Sequence, residues 1–272
     1  MKQPLAWFEG TWGDPSELTI PISERGLQLA DGLFETVLVL NGIPRFLKEH
    51  LNRWQISADL LGMEPPPPQG WLEPLIEAAI QRSGLNQQNG ALRLNWSRGC
   101  GQSRGIGLPK HSKHRFWLTL QAHELNWNPI TTIISSQEQR NVHSVLSRCK
   151  TFAYNQAIQA RREAERHGVD DALLRNTQSE LCCGTVANLM VLRSGEWLTP
   201  PLSSGCLPGV MRGRAIKLGL AREISVGPDV LPQDSAILLN SLGCRTISSI
   251  SGKPLTSEAS TAQKLWKQLL SQ

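Results

Sequence analysis

Several features that mark other classes of protein are missing from this sequence. No apolar run reaches the length needed to cross a membrane, and residues 1–7 lack the apolar core and cleavage site of a signal peptide. None of the six cysteines belongs to a Cys-x-x-Cys pair, and the vicinal Cys182 and Cys183 cannot easily bridge to each other. We therefore expect reduced thiols, a cytoplasmic location and no membrane partner.

Basic blocks are also missing, although 28 Lys and Arg residues against 23 Asp and Glu residues give a net charge of +5. The arginines are scattered and are not interleaved with aromatic residues, which argues against a nucleic-acid partner. Scattered arginines suit a small anionic substrate or a phosphorylated cofactor better. We expect no metal site.

What the chain does have is enough apolar sequence for a folded enzyme, with 272 residues of which 40% are hydrophobic and 19% charged. Strand and helix patterns alternate without the repeated βαβ cadence of a doubly wound fold. They predict a mixed α/β (α+β) chain with a small N-terminal α+β domain at residues 1–122, a linker at 123–129 and a larger C-terminal α/β domain at 130–272. One of the short strands is predicted at residues 18–22.

The most specific pattern runs from Lys150 to Asn188. Lys150 precedes an amphipathic helix predicted at residues 152–167, and an Asp-Asp-Ala-Leu strand, a hairpin and an Asn-Leu strand follow. This order resembles the core of the fold-type IV pyridoxal-phosphate (PLP) enzymes of the aminotransferase class IV family. The resemblance implies a two-domain fold like that of D-amino acid aminotransferase, covalent binding of PLP by Lys150 and a homodimer. A largely desolvated amine loses its proton more readily, which suits both covalent binding and proton transfer.

Two N-terminal motifs extend this resemblance. Residues 24–36 contain Glu-Arg-Gly and then Ala-Asp-Gly-Leu-Phe-Glu-Thr, which are similar to two family motifs, with Ala30 where the family has glycine. The His-Leu-Asn-Arg sequence that ends at Arg53 resembles the family's phosphate-gripping motif, so the resemblance implies that Arg53 binds the cofactor phosphate. Because side chains alternate along a strand, Phe34 and Thr36 share one face and are candidates to line the substrate pocket.

Later in the chain, Pro-Gly-Val-Met-Arg predicts a helix that begins at a glycine. Such a helix start presents unpaired backbone N–H groups and a positive dipole end, and both attract anions. The resemblance implies that Gly209, Val210 and Met211 hold the cofactor phosphate there. It also implies that the hydroxyl of Ser241, in an Asn-Ser-Leu sequence, contacts phosphate or substrate.

A glycine-rich stretch at residues 97–107 invites a nucleotide-binding interpretation. The stretch leads into Leu108-Pro109 and not into a helix, so neither a dinucleotide fingerprint nor a P-loop fits. The family resemblance implies instead a lid over the substrate, in which Arg104 meets a substrate carboxylate. Family lyases often have tyrosine two residues after this arginine, where this chain has Ile106.

One position departs from the family in a way that affects the chemistry. The family places a glutamate, which contacts the pyridine nitrogen of PLP, five residues before the strand asparagine, and here that residue is Cys183. Either Cys183 faces the pyridine nitrogen, or Glu180 is recruited through an unusual hairpin. A carboxylate keeps that nitrogen protonated and makes the cofactor a strong electron sink, whereas a neutral thiol does not. Transamination depends on the sink more than β-elimination does, because in elimination the leaving group removes the electron pair.

Within the family, the pattern is most similar to the lyases that convert 4-amino-4-deoxychorismate to 4-aminobenzoate and pyruvate on the folate route. The resemblance therefore implies a PLP-dependent β-elimination. A D-amino-acid or branched-chain-type aminotransferase of the same fold is the first alternative. A cofactor-free homologue that has lost the glutamate is the second, and the presence of Lys150 and Arg53 argues against it.

Overall fold

The computed structural model describes residues 3–101, 105–109, 113–256 and 258–271. The chain divides into two compact units. The first comprises Met1–Glu124 and Cys149–Ala153, and the second comprises Leu125–Arg148 and Tyr154–Gln272. No helix in the described ranges is both long and apolar enough to cross a membrane.

The first unit is an antiparallel sheet covered by helices. Its described elements are strands β1 (Leu5–Phe8), β2 (Thr11–Gly13), β3 (Gly32–Leu40), β4 (Ile43–Pro44), β5 (Gly90–Ser97) and β6 (Arg115–Ala122), with helices α1 (Arg25–Leu29), α2 (Leu47–Leu60) and α3 (Gln69–Arg82). The strand order is β2-β1-β6-β5-β3-β4. Apolar side chains of β3, β5 and β6 pack with α2 and α3 into one core. The opposite face of β3 and β5 does not take part in this core.

The strand predicted at residues 18–22 does not form, and this prediction was wrong. These residues run as an irregular segment between β2 and α1. Pro21 has no N–H to donate to a sheet, and the side chain of Ile22 is 84% exposed. The apolar composition of the segment was therefore a poor guide to its structure.

Residues 149–153 group with the first unit because they pair with the start of β3. The backbone N–H of Phe34 donates to the Lys150 carbonyl at 2.9 Å, and the N–H of Phe152 donates to the Gly32 carbonyl at 2.9 Å. Cys149 packs in the core of the same unit. The sequence division followed chain order and assigned this segment to the C-terminal half, because an inserted pairing of five residues leaves no signal in composition.

The second unit contains a closed β-barrel. Its described elements are β7 (Ile130–Arg140), β8 (Asp171–Asn176), β9 (Leu181–Gly184), β10 (Asn188–Arg193), β11 (Glu196–Thr199), β12 (Ala221–Glu223), β13 (Ser235–Asn240), β14 (Gly243–Ile250) and β15 (Lys253–Pro254), with α4 (Asn155–Arg166), α5 (Val210–Lys217) and α6 (Ala259–Leu270). The order β10-β13-β14-β7-β8-β9 closes on itself because β9 also pairs with β10. Closure leaves these six strands without a free edge.

Candidate active site

The Lys150 side chain lies over an aromatic ring of β3. Its Nζ is 4.3 Å from the centroid of the Phe34 ring, and Phe34 is buried. The Phe152 ring stacks near Phe34 with centroids 6.3 Å apart, and it lies directly against Gly32. A Cβ at Gly32 would come within 2.2 Å of the Phe152 ring, so this position requires glycine for space. The glycine of the Asp-Gly-Leu-Phe motif thus fixes the segment that carries Lys150.

The opposite face of β3 carries a buried charge cluster. Arg53 donates from Nε to Glu35 Oε1 at 2.8 Å and from Nη2 to Glu35 Oε2 at 2.5 Å, and His50 Nδ1 lies 2.7 Å from Glu35 Oε2. Burial opposes ionisation of Glu35, but the charge of Arg53 and the hydrogen bond with His50 outweigh it and lower the pKa of Glu35 to about 2. Burial lowers the pKa of His50, against the hydrogen bond and charge of Glu35. At neutral pH the cluster is therefore a carboxylate–guanidinium pair beside a neutral imidazole.

The predicted phosphate residue Arg53 is thus held in a fixed orientation. Two of the five N–H donors of its guanidinium bond to Glu35. Arg53 is buried, and this bidentate pair fixes the plane of its guanidinium. In the sequence Glu35 is recognisable only as part of a motif. Its contact with Arg53 is visible only in the folded structure.

Arg93 is a site residue that the sequence interpretation missed. Its guanidinium carbon lies 3.5 Å from the centroid of the Phe34 ring, and its Nε donates to Asn95 Oδ1 at 2.7 Å. In the β3–β5 ladder Arg93 pairs with Thr36 and Asn95 pairs with Phe34, so all four side chains stand on one face. A usable signal was present, because Leu92 and Leu94 are apolar while Arg93 and Asn95 alternate with them.

Two cations therefore approach one ring. Arg93 and Lys150 each lie within the range of a cation–π contact with Phe34. The predicted pocket residues Phe34 and Thr36 are on the same face of the sheet as Arg93, and Lys150 contacts that face through Phe34. This face of the first unit can hold an amine and an anionic substrate group.

In the second unit, Cys183 occupies the position opposite the strand asparagine. Cys183 pairs with Asn188 across β9 and β10, and with Leu174 across β8 and β9. Cys183 is 8% exposed and packs in an apolar cluster with Ile133 and Leu174. Hydrogen bonds with Cys183 and Cys206, together with burial, raise the pKa of the neighbouring Cys182 thiol. The side chains that pack around Cys183 in this cluster are aliphatic groups and thiols.

Glu180 is engaged elsewhere. Its Oε1 accepts a hydrogen bond from Ser225 Oγ at 2.6 Å, and its Oε2 accepts from Asn176 Nδ2 at 3.3 Å. Glu180 precedes β9, and three residues of extended chain span roughly 10 Å, so it lies well away from Cys183 along the strand. These hydrogen bonds of Glu180 thus lie outside the Cys183–Asn188 pair.

Helix α5 begins at Val210 with Gly209 as its N-cap, in agreement with the predicted glycine at the helix start, and within the described residues no side chain caps it. The first backbone N–H groups of a helix have no intrahelical partner, so Val210 and Met211 present an anion-binding end. Asn188 Nδ2 donates to the Leu207 carbonyl at 2.9 Å, just before this helix. Ser241 lies in the two-residue turn between β13 and β14.

The predicted residues thus fall into two sets. Phe34, Thr36, Arg53 and Lys150 lie in the first unit, and Cys183, Gly209, Val210, Met211 and Ser241 lie in the second. Arg104 lies outside the described residues. Among the described residues, Arg25 Nη1 donates to the Gly107 carbonyl at 3.0 Å and Arg25 Nε donates to Asp31 Oδ2 at 2.8 Å.

Comparison with known proteins gives a consistent result. The amino-transferase class IV family matches residues 32–250. The D-alanine aminotransferase of Bacillus licheniformis is 26% identical over 264 residues, covering 93% of this chain and 90% of that protein. The aminodeoxychorismate lyase of Vibrio harveyi is 25% identical over 244 residues, covering 85% of this chain and 88% of that protein.

Solved structures agree on the fold. The fold IV transaminase CpuTA1 of Curtobacterium pusillum superposes with a TM-score of 0.85 at 22% identity, covering 99% of this chain and all of that one. A hypothetical aminotransferase of Mycobacterium tuberculosis in its PLP-bound form gives a TM-score of 0.85 at 20% identity, covering 98% and 99% of the two chains. The predicted mixed α/β, fold-type IV architecture is confirmed.

PLP, the cofactor of this family, fits the residues that are present. Lys150 supplies an amine on an apolar ring, and Arg53 supplies a buried, oriented guanidinium. In the second unit, taken by itself, the start of α5 has no side-chain cap in the part of the chain that the structure describes, and a helix start of this kind suits a phosphate. Cys183 is the exception, because it is not the acid that the family resemblance implies at this position.

Proposed function

The chain belongs to the amino-transferase class IV family, and from that premise we propose that it is a PLP-dependent lyase that releases pyruvate from 4-amino-4-deoxychorismate and leaves 4-aminobenzoate. The observation that carries the proposal is a cysteine, Cys183, and not an acid opposite Asn188, with Glu180 bonded to Ser225 and Asn176. A site without an acid at this place favours a reaction in which a leaving group carries away the electron pair. The aminodeoxychorismate lyase of Vibrio harveyi is among the relatives that support this choice.

Lys150 performs the proton transfers in this proposal. When bound, PLP supplies an electron sink that lets a proton leave the ring carbon beside the substrate nitrogen. Lys150 Nζ takes this proton, and the C–H electron pair forms the last double bond of the aromatic ring while the C–O bond on the neighbouring carbon breaks. The oxygen leaves with the C–O electrons as enolpyruvate, and protonation of its carbon gives pyruvate. The Phe34 ring lies against Nζ on the face of the sheet that also carries Arg93.

Arg93 gives the site a fixed positive charge for a substrate with two carboxylates. Its guanidinium is held over Phe34 and bonded to Asn95, so its direction is set before the substrate binds. Arg104 remains a proposed second carboxylate contact. Arg53 and the start of α5 are the proposed phosphate contacts, and Ser241 a proposed hydroxyl contact with phosphate or substrate.

A first experiment tests the cofactor. The purified protein is expected to show the absorbance band of lysine-bound PLP, and borohydride should fix the cofactor to the peptide that contains Lys150. Lys150→Ala should abolish both the band and the labelled peptide. Absence of the band from wild-type protein supplied with PLP, or labelling that survives in Lys150→Ala, would contradict the proposal.

A second experiment separates lyase from aminotransferase. Pyruvate release from 4-amino-4-deoxychorismate is expected without any added keto acid. Keto-acid-dependent amino transfer with little pyruvate release would favour the aminotransferase alternative. The similarity to D-alanine aminotransferase over 93% of the chain supports that alternative.

We also propose that the protein is a homodimer, as the family resemblance implies. Light scattering of the purified protein should give twice the mass of the chain. A monomeric mass at the concentrations used for activity would overturn this part of the proposal.

A further inference from the structure

One side chain joins the strand pair that carries Cys183 to the start of helix α5. The backbone of Asn188 pairs with Cys183 on β9 and with Leu239 on β13. Its side chain leaves the sheet, and Nδ2 donates to the Leu207 carbonyl at 2.9 Å. The same carbonyl accepts the N–H of Gly209 at 2.8 Å. Asn188 therefore bonds to the turn from which α5 begins, and only 6% of it is exposed.

The packing of Gly209 shows how tightly this contact is built. A Cβ on Gly209 would lie 2.0 Å from Asn188 Oδ1 and 3.1 Å from Asn188 Cγ. The backbone of Gly209 has φ −63° and ψ 137°, which any residue adopts, so glycine is required here for space and not for conformation. The carboxamide of Asn188 lies directly against the Cα of Gly209 and is held there by the bond to Leu207.

The contact of Asn188 with Leu207 and Gly209 fixes the position of the turn from which the first N–H groups of α5 point. Gly209 has no side chain to cap α5, so the direction of the Val210 and Met211 N–H groups depends on how the preceding turn is held. The Asn188 carboxamide contacts both sides of that turn, at the Leu207 carbonyl and at Gly209. The same residue faces Cys183 in the barrel.

We propose that Asn188 is the positioning residue that fixes the start of α5 relative to Cys183. One side chain then sets the distance between the place for the cofactor phosphate and the place for its ring nitrogen. This rests on the proposed use of PLP, but not on the lyase reaction. Asn188 acts through the backbone of the turn, and its substitution should weaken recognition of the phosphate group while leaving recognition of the aldehyde and ring intact.

The test compares PLP with pyridoxal, which lacks the phosphate, in titrations of the cofactor-free protein. Asn188→Ala is expected to weaken PLP binding about tenfold, the effect of losing one well-placed hydrogen bond and its packing. Pyridoxal binding should stay within about twofold, because Lys150 is untouched. An unchanged ratio of the two affinities in Asn188→Ala would overturn the inference. Wild-type protein that binds neither compound would overturn the proposed use of PLP and with it this inference, while an unchanged ratio leaves that use standing.

A double-mutant cycle tests whether Asn188 and Gly209 act together in PLP binding. Gly209→Ala alone should weaken PLP binding, because its Cβ collides with Asn188 Oδ1. In an Asn188→Ala background the methyl group enters the vacated space, so the second substitution should add little to the first. Additive losses would show that the two residues act independently and would contradict the inference.

Asn176→Ala is the matched control. Asn176 is also a buried asparagine of the second unit, and its Oδ1 accepts the backbone N–H groups of Gln178 and Glu180. Its loss should lower the melting temperature by an amount similar to that in Asn188→Ala, and should leave the ratio of PLP to pyridoxal affinity unchanged. If Asn176→Ala altered that ratio as much as Asn188→Ala does, general destabilisation would explain the result and the inference would fail.

Discussion

The two units place charge in opposite ways. Around β3 the first unit holds Lys150 and Arg93 on one face and the Glu35–Arg53 pair on the other, each fixed by a hydrogen bond or an aromatic ring. At Cys183 the second unit offers thiols and aliphatic side chains. In the proposed function, the groups that would handle the proton and the anions are therefore charged and held in place, while a cysteine stands in the place of the family's ring-nitrogen acid. The proposed lyase reaction depends on this difference.

The largest effect is expected at the buried cluster of the first unit. Glu35→Gln should lower the free energy of unfolding by about 3–5 kcal/mol, because it leaves Arg53 without its buried partner. Chemical denaturation measures this loss. The variant should also bind PLP more weakly than wild type. Exposed Arg222 and Glu196 form a matched pair at 3.1 Å, and Glu196→Gln should cost at most about 1 kcal/mol. Equal losses would show that the cluster is no more important than a surface pair.

The same cluster predicts a direction for acid sensitivity. The pKa of Glu35 falls from 4.5 to about 2 on folding, so its stabilising effect, about 3 kcal/mol, is complete above pH 4.5. It is lost as the pH falls toward 2. The lowered pKa of His50 adds a loss that begins as the pH falls below its ordinary value of 6.5. Denaturation at several pH values should show this slope in wild type and a smaller one in Glu35→Gln.

A smaller, purely functional effect is expected at Arg93. Arg93→Met keeps much of the packing on Phe34 and removes the charge, so KM for the dianionic substrate should rise about tenfold to a hundredfold. Pyridoxal-phosphate binding should not change, because Arg93 has no proposed contact with the cofactor. Steady-state kinetics and cofactor titration separate the two. A change in kcat with an unchanged KM would assign Arg93 to the reaction itself and not to substrate binding.

Restoring the acid tests the neutral end of the comparison. Cys183→Glu should increase amino transfer to a keto acid relative to pyruvate release, by several-fold, because a carboxylate there strengthens the electron sink. Cys183→Ser is the control, since a hydroxyl is also neutral and should leave the ratio near that of wild type. Amino transfer that stays the same or falls in Cys183→Glu, in a variant that still binds PLP, would contradict the electronic argument.

Much of the fold and several positions of the candidate site could be predicted from the sequence, because local motifs keep their spacing. Lys150, the Gly209 helix start and the register of Cys183 against Asn188 needed only counting along the chain. Arg93 and the pairing of Glu35 with Arg53 did not follow from spacing, because they depend on which residues face each other across β3, β5 and α2. The position of Ala30, where the family has glycine, has a different explanation. Ala30 adopts φ +54°, a left-handed conformation that favours glycine.

The smallest effect is expected at Glu180, and it decides between the two alternatives for the ring nitrogen. Glu180→Gln removes the charge and keeps the size, and its contacts with Ser225 and Asn176 lie outside the Cys183–Asn188 pair. The absorbance of bound PLP and the ratio of amino transfer to pyruvate release should therefore match wild type, with a loss of stability of at most about 1 kcal/mol. A shifted absorbance band or an altered ratio would mean that Glu180 reaches the cofactor. The neutral site inferred from Cys183 would then be wrong, and the contrast between the two units would be lost.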